Sequence, residues 1–235
     1  MIALAEMRSR KSPLRLVIFD CDGVLVNSEP IANRVVAAML TEEGWPMTAH
    51  AANQRFLGMT LPDMVPVIEA QLGRKLTSGW TEKLVATIML AMTTEATLIP
   101  GALVALQAVT ALGLPWRVAS NSSHSEMAAK FRCVGASDLV AGRLHSFEDV
   151  SRGKPAPDLF LATAAAEAVP PAACVVIEDS VTGARAAAAA GMMCLGYVGN
   201  VGSGASAAIE AAGALPFASM FDLPGLIAAA PRTVR

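Results

Sequence analysis

Short, largely apolar runs alternate with longer amphipathic stretches along most of this chain. The runs stand at Leu14–Phe19, Trp116–Ala119, Leu139–Ala141, Cys174–Ile177 and Met192–Val198. Each is too short for a stable helix and reads as a strand buried on both faces. Helical spacing fills the intervals at Ala102–Leu112, Glu126–Cys133, Pro157–Ala168 and Thr182–Ala190. Strand and helix in regular alternation predict an α/β fold, a doubly wound, Rossmann-like parallel sheet with helices on both faces. Between Pro30 and Leu98 the pattern changes: no convincing strand occurs, and helical spacing recurs at Ile31–Glu43, Leu61–Leu72 and Thr81–Ala96. Proline and glycine punctuate the junctions at Ser28-Glu29-Pro30 and Ile99-Pro100-Gly101. The expected organisation is a discontinuous α/β core, residues 13–29 and 99–231, interrupted by an all-helical cap, residues 30–98.

The first strand ends in two aspartates two positions apart, within LRLVIFDCDGVLVNSE. A carboxylate at the mouth of a buried strand is costly unless a cation or hydrogen-bonding partner compensates it, so Asp20 and Asp22 need an explanation. A turn is one, because Asp-Gly is a common turn pair and aspartate bonds readily to nearby backbone amides. An EF-hand loop is not another: it follows a helix and needs a further ligand and a closing glutamate where this chain has Val24 and Ile31.

Composition narrows the classes. With 235 residues, 54% of them hydrophobic, the chain can bury a substantial core. A net charge of -2 leaves no basic field for nucleic acid. The apolar stretches are interrupted, Leu161–Ile177 by Glu167 and the Pro170-Pro171 pair, so no membrane span is expected. Met1–Lys11 lacks the sustained apolar run of a secretory signal and is expected to be a frayed extension, with the cytoplasm as compartment. Cys21, Cys133, Cys174 and Cys194 are widely separated and read as small buried hydrophobes. His50, His124 and His145 are scattered and read as surface or capping residues.

Three later features fall near expected strand ends: Ser120 in RVASNSS, Lys154 in SRGKPAPD, and Glu178-Asp179 in CVVIEDSVTGA. Each has an ordinary structural alternative. Ser120 could cap the next helix, Lys154 could be a solvated loop residue, and Glu178-Asp179 could serve a helix N-terminus. Taken together they place four carboxylates, a hydroxyl and an ammonium at the carboxyl edge of one sheet, where ligands collect in such folds. Clustered carboxylates without histidine or thiolate point to magnesium, which commonly bridges protein oxygens to a phosphate.

In these motifs, DCDGVLVNSE, VASNSS, GKPAPD and VIEDSVTGARAAAAAG, the chain resembles the haloacid dehalogenase superfamily over Leu14 to Val198, in its branch with a helical cap. The nearest likeness is to beta-phosphoglucomutase-like proteins and sugar-phosphate phosphatases. That resemblance implies Asp20 as the nucleophile that forms an aspartyl-phosphate, and Asp22 as the general acid and base. It also implies Ser120, with Asn121 and neighbouring amides, as the phosphoryl cradle and Lys154 as the charge neutraliser. Asp20, the Asp22 carbonyl, Glu178 and Asp179 would be the magnesium ligands. In the cap, QRFLGMT offers Arg55 and Gly58 as substrate-binding candidates.

Where beta-phosphoglucomutase has a cap histidine and a loop lysine, this chain has Ala32 and Leu57, which favours hydrolysis over phosphoryl isomerisation. Asn27 stands where relatives often have aspartate. Dehalogenases act without the metal and lack the Asp22 and Glu178-Asp179 set; a phosphonatase would want a Schiff-base lysine, and Lys75 and Lys83 have no distinguishing context. The expected activity is therefore magnesium-dependent hydrolysis of a small phosphate ester, a sugar or sugar-acid phosphate, by a monomer. A beta-phosphoglucomutase-like mutase and a non-catalytic protein that binds a phosphorylated metabolite are the alternatives.

Overall fold

The structure is a computed structural model, and it describes residues 2–56, 59, 61–199 and 203–231. The elements in chain order are α1 (Ile2–Arg8), β1 (Leu16–Phe19), α2 (Glu29–Glu42), α3 (Ala49–Phe56), α4 (Leu61–Leu72), α5 (Trp80–Glu95), α6 (Ala102–Ala111), β2 (Trp116–Ser120), α7 (His124–Cys133), α8 (Ser137–Val140), β3 (Leu144–Ser146), α9 (Asp158–Ala166), β4 (Cys174–Glu178), α10 (Val181–Ala189), β5 (Met193–Tyr197), α11 (Ser203–Ala211), β6 (Leu215–Phe217) and α12 (Leu223–Ala229). They divide into two compact units, one formed by residues up to Asn27 together with those from Leu98 onward, the other by Ser28–Thr97.

The first unit is a six-stranded parallel sheet in the order β3-β2-β1-β4-β5-β6. All of β1 is buried, as a strand covered on both faces must be. Alternate residues separate the two faces. Leu16, Ile18 and Val176 pack with Leu159, Phe160 and Ala164 of α9 and with Ala184, Ala186 and Ala187 of α10. The alanines let α10 lie close to the strands. Val17, Phe19 and Ile177 are equally buried and face the other way, where Phe19 meets Trp116 edge-on at 6.3 Å. Because order runs outward in both directions from β1 and β4, the crevice between their carboxyl ends is the topological switch point.

The second unit is helical with a core of its own, in which Val36, Leu40, Phe56, Ile68, Trp80 and Leu84 are buried together. Its entry and exit are side by side in the first unit: Val26 bridges Leu98 in antiparallel fashion, and Ile99 N donates to Leu25 O at 2.9 Å. Among the described residues no helix is long and apolar enough to cross a membrane.

Several elements depart from the periodicity. Leu139–Ala141 is not a strand; it overlaps the short helix α8, and the edge strand β3 begins at Leu144. The edge pairing of Leu144, His145 and Ser146 with β2 comes from a segment with too little apolar content to announce itself. The strand β6 carries Pro216, which only an edge strand accommodates readily. Helix α3 offered only Ala52 and Phe56, one turn apart, as buried positions. The N-terminal residues are not a frayed extension: Ala3 and Met7 of α1 are buried, and the helix packs on α12 and β6. Arg10 then donates to the carbonyls of Ala172 and Cys174 at 2.9 and 3.2 Å, and Leu14 N donates to Pro231 O at 2.8 Å.

Met7 is fully buried, so Met7→Ala is expected to lower stability by about 2–5 kcal/mol in chemical denaturation. A frayed terminus would leave the midpoint unchanged.

Candidate active site

The carboxyl ends of β1, β2 and β4 are neighbours, and the side chains that follow them converge. Asp20 leaves β1 with its N–H donating to Ile177 O at 2.9 Å, which ties it to β4 one residue before Glu178. Lys154 arrives on the loop ahead of α9 and places Nζ at 2.6 Å from both Asp20 Oδ1 and Glu178 Oε1. Asp20 and Lys154 are each 8% exposed and Glu178 1%, so this ion pair is buried. Phe160 covers the ammonium with its ring centroid at 4.8 Å.

The second Glu178 oxygen is also engaged. Its Oε2 accepts from Asp179 N and Ser180 N, both at 3.0 Å, and from Ser180 Oγ at 2.8 Å. Ser180 in turn caps α10 by accepting Gly183 N at 3.0 Å. Gly183 has to be glycine because a Cβ there would fall on the Glu178 carboxylate. Glu178 therefore holds both Lys154 and the start of α10.

The Asp22-Gly23 turn is real, and it is also part of the site. Gly23 has φ +76°, a left-handed conformation that favours glycine, and its N–H donates to Val26 O at 2.8 Å. A Cβ on Gly23 would fall on the Asp179 carboxylate, so the close approach of Asp179 to the turn requires glycine there. Oxygens of Asp20, Glu178 and Asp179 lie within 4.8 Å of one another. The Asp22 side chain points elsewhere, with Oδ1 and Oδ2 accepting from Lys130 Nζ at 2.8 and 2.7 Å.

Burial pushes the Asp20 carboxyl up to about 7, helped by the charges of Glu178 and Asp22 and opposed by Lys154. Burial works against the Lys154 charge, but Asp20 and Glu178 overcome it and hold that ammonium above the ordinary lysine value. The Cys21 thiol between the two aspartates is driven well up by burial, which suits a packing role and not a nucleophile.

The ordinary alternatives for the later motifs resolve one by one. Ser120 is buried and does not cap α7; Ser123 does, in a capping box with Glu126. The Ser120 hydroxyl accepts Ser122 N at 3.1 Å. Asn121 brackets the Lys154 backbone, donating from Nδ2 to its carbonyl at 3.0 Å and accepting its N–H at 2.9 Å. Its side-chain amide thus orients the lysine loop. Arg55 is exposed in the last turn of α3, while Leu57 and Gly58 lie outside the described residues. Sequence reasoning missed Lys130. The signal was present: it lies on the face of α7 that buries Met127 and Phe131, where an unpaired lysine would not be tolerated.

The helical unit has a pocket of about 340 Å³, lined by Val36, Phe56 and Met64 and by the polar groups of Glu29, Asn33 and Asn53. Arg55 is not among its lining residues.

Residues 14–191 match the model of the haloacid dehalogenase-like hydrolases. The chain belongs to this family. The 6-phosphogluconate phosphatase of Escherichia coli is 31% identical over 182 residues, which span 77% of this chain and 81% of that protein. Hexitol phosphatase A of the same organism is 29% identical over 178 residues, 74% of this chain and 78% of its own. A haloacid dehalogenase-like protein of unknown function from Agrobacterium tumefaciens superposes with TM-score 0.83 at 35% identity, covering 92% of this chain and 98% of that one. A family hydrolase from Deinococcus radiodurans, solved with phosphate and sodium bound, superposes with TM-score 0.78 at 31% identity and the same coverage. With phosphatases among its relatives, this haloacid dehalogenase-like hydrolase is an enzyme of the phosphoric monoester hydrolase class. Members of the family generally use a divalent metal, and Asp20, Glu178 and Asp179 form an acidic cluster of oxygen donors at the switch point.

Gly23→Ala is expected to displace Asp179, a candidate metal ligand, and to weaken divalent-cation binding by roughly tenfold or more in calorimetric titration, the usual effect of disturbing a ligand's support. Unchanged affinity would mean either that Asp179 is not a ligand or that it does not depend on the turn.

Proposed function

We propose that this chain is a magnesium-dependent phosphatase that hydrolyses a small phosphorylated metabolite, a sugar or sugar-acid phosphate, through an aspartyl-phosphate on Asp20. The carrying observation is the division of labour between the two aspartates: Asp20 faces Lys154 and the acidic cluster, while Asp22 is held apart by Lys130.

The donor set suits a small dication. Asp20, Asp22, Glu178 and Asp179 stand against two ammonium groups, Lys154 and Lys130, an excess of two negative charges when all are ionised. Asp20 and Asp179, backed by Glu178, would hold the ion, which when bound would screen the phosphate dianion from the carboxylates.

The remaining chemistry falls to the side chains. An Asp20 oxygen attacks phosphorus while the bond to the ester oxygen breaks, and that oxygen keeps the electron pair. Asp22 supplies its proton. In the second half Asp22 takes a proton from water as the water oxygen attacks phosphorus, and the pair of the Asp20–phosphorus bond returns to the carboxylate. Ser120 and the following amides would hold the phosphoryl oxygens, and Lys154 would stabilise the charge on them.

Hydrolysis is favoured over isomerisation by Ala32, which lines the helical unit's pocket where beta-phosphoglucomutase has its histidine. The amides of Asn33 and Asn53 in that pocket suit the hydroxyl groups of a sugar or polyol, in keeping with the names of the relatives. Glu29, whose carboxyl burial raises, also lines that pocket and can hydrogen-bond a hydroxyl.

Phosphate release across a panel of sugar, polyol and sugar-acid phosphates tests the reading. Turnover is expected with magnesium, none after chelation, and only background for Asp20→Asn. Ser120→Ala is expected to lower kcat/KM by roughly 10²-fold, the loss typical of one oxyanion donor. No turnover of any ester with magnesium would sink the phosphatase reading, and hexose 1-phosphate isomerisation outrunning phosphate release would replace it with a mutase.

A further inference from the structure

A lysine buried on the apolar face of a helix has to meet an anion, and Lys130 meets the acid–base candidate. Its ammonium spans both oxygens of Asp22 at 2.8 and 2.7 Å and donates to Ser122 Oγ at 2.9 Å. Ser122 Oγ donates onward to Asp22 Oδ2 at 2.9 Å, so the three groups close a triangle. The corner at Ser122 is itself fixed. Its carbonyl accepts Ser146 Oγ at 2.8 Å from the end of β3, and Ser146 is fully buried. The Lys130 side chain is 4% exposed and the Asp22 side chain 32%. One end of the triangle is therefore anchored in the core while the other reaches solvent.

We propose that Lys130, together with Ser122, is the positioning residue that aims Asp22 at the oxygen leaving phosphorus. An aspartate at a turn has free rotation about two bonds, and proton transfer needs its oxygen within hydrogen-bond reach of the departing atom. Lys130 and Ser122 restrict that rotation from the protein side without occupying the face Asp22 presents to solvent. Lys154 cannot do this, because it is bonded to Asp20 and Glu178. The two lysines thus serve the two aspartates separately.

This inference rests on the proposed role of Asp22, and a comparison of leaving groups separates the two. In the first half-reaction the bond from phosphorus to the ester oxygen breaks with its electron pair on that oxygen. A basic phenolate needs the proton that Asp22 delivers, whereas para-nitrophenolate departs without it. The magnesium-loaded enzyme should cleave phenyl phosphate and para-nitrophenyl phosphate with kcat/KM values that differ little. Lys130→Met should lower kcat/KM for phenyl phosphate by roughly 10²-fold, the loss expected from a misplaced catalytic group, and change that for para-nitrophenyl phosphate by only a few-fold. Ser122→Ala should shift the ratio in the same direction by less, and carries the same test should Lys130→Met fail to fold. Equal losses on both substrates, or none on either, would reduce Lys130 to a packing residue and overturn the proposal. If Asp22→Asn shifts the ratio and neither Lys130→Met nor Ser122→Ala does, only this inference fails. If Asp22→Asn leaves the ratio unchanged, the assignment of Asp22 as the acid fails with it.

Discussion

The ammonium of Lys154, held at 2.6 Å between Asp20 and Glu178, is the interaction that the rest of the architecture serves. Burying two carboxylates and a lysine is expensive, and such a pair rarely returns more stability than apolar side chains of the same volume would. The proposed reaction gives it a purpose, since the cation would then sit beside the carboxylate that approaches a phosphate. Everything nearby reduces the cost of holding it there. Parallel pairing of β1 with β4 sets Asp20 beside Glu178, Asn121 grips both backbone groups of the lysine, and Ser180 with two amides satisfies the far side of Glu178. Removing the lysine alone would strand two buried charges.

Glycine has an unusual part in this arrangement. Gly23 and Gly183 matter for what they leave out, since a methyl at either one would occupy the space of a carboxylate. The site is therefore shaped as much by absent side chains as by reactive ones. The Asp22-Gly23 turn and the candidate site are one feature, because the missing Cβ of Gly23 leaves the space that the Asp179 carboxylate occupies.

Most of the α/β core was legible because its strands are continuous apolar runs bounded by turn residues and too short for a buried helix of ordinary length. The edges were not legible. An outer strand needs little apolar content, so LHS and LPF formed strands that no periodicity marked, while Leu139 and Val140 fell in a short helix. Helix α1 was missed because a single turn-spaced pair, Ala3 and Met7, is too weak a signal in so short and charged a segment. At the site, Asp20, Lys154 and Glu178 were readable from their positions at strand ends. Two things were not. Lys130 is contributed by a helix face and meets Asp22 across 108 positions of sequence, and the Asn121 side-chain amide bonds to the backbone of the lysine loop.

The bridge between Val26 and Leu98 has an evolutionary consequence. Because the chain leaves and re-enters the sheet unit at neighbouring backbone positions, the segment between them is, for the sheet, a loop whose ends are already tied. Closure entropy grows only with the logarithm of loop length, about 0.6 kcal/mol for each doubling. A segment inserted there can be lengthened, shortened or exchanged with almost no penalty to strand register. The residues at the strand ends and the helical module can consequently change in sequence with little effect on one another's fold.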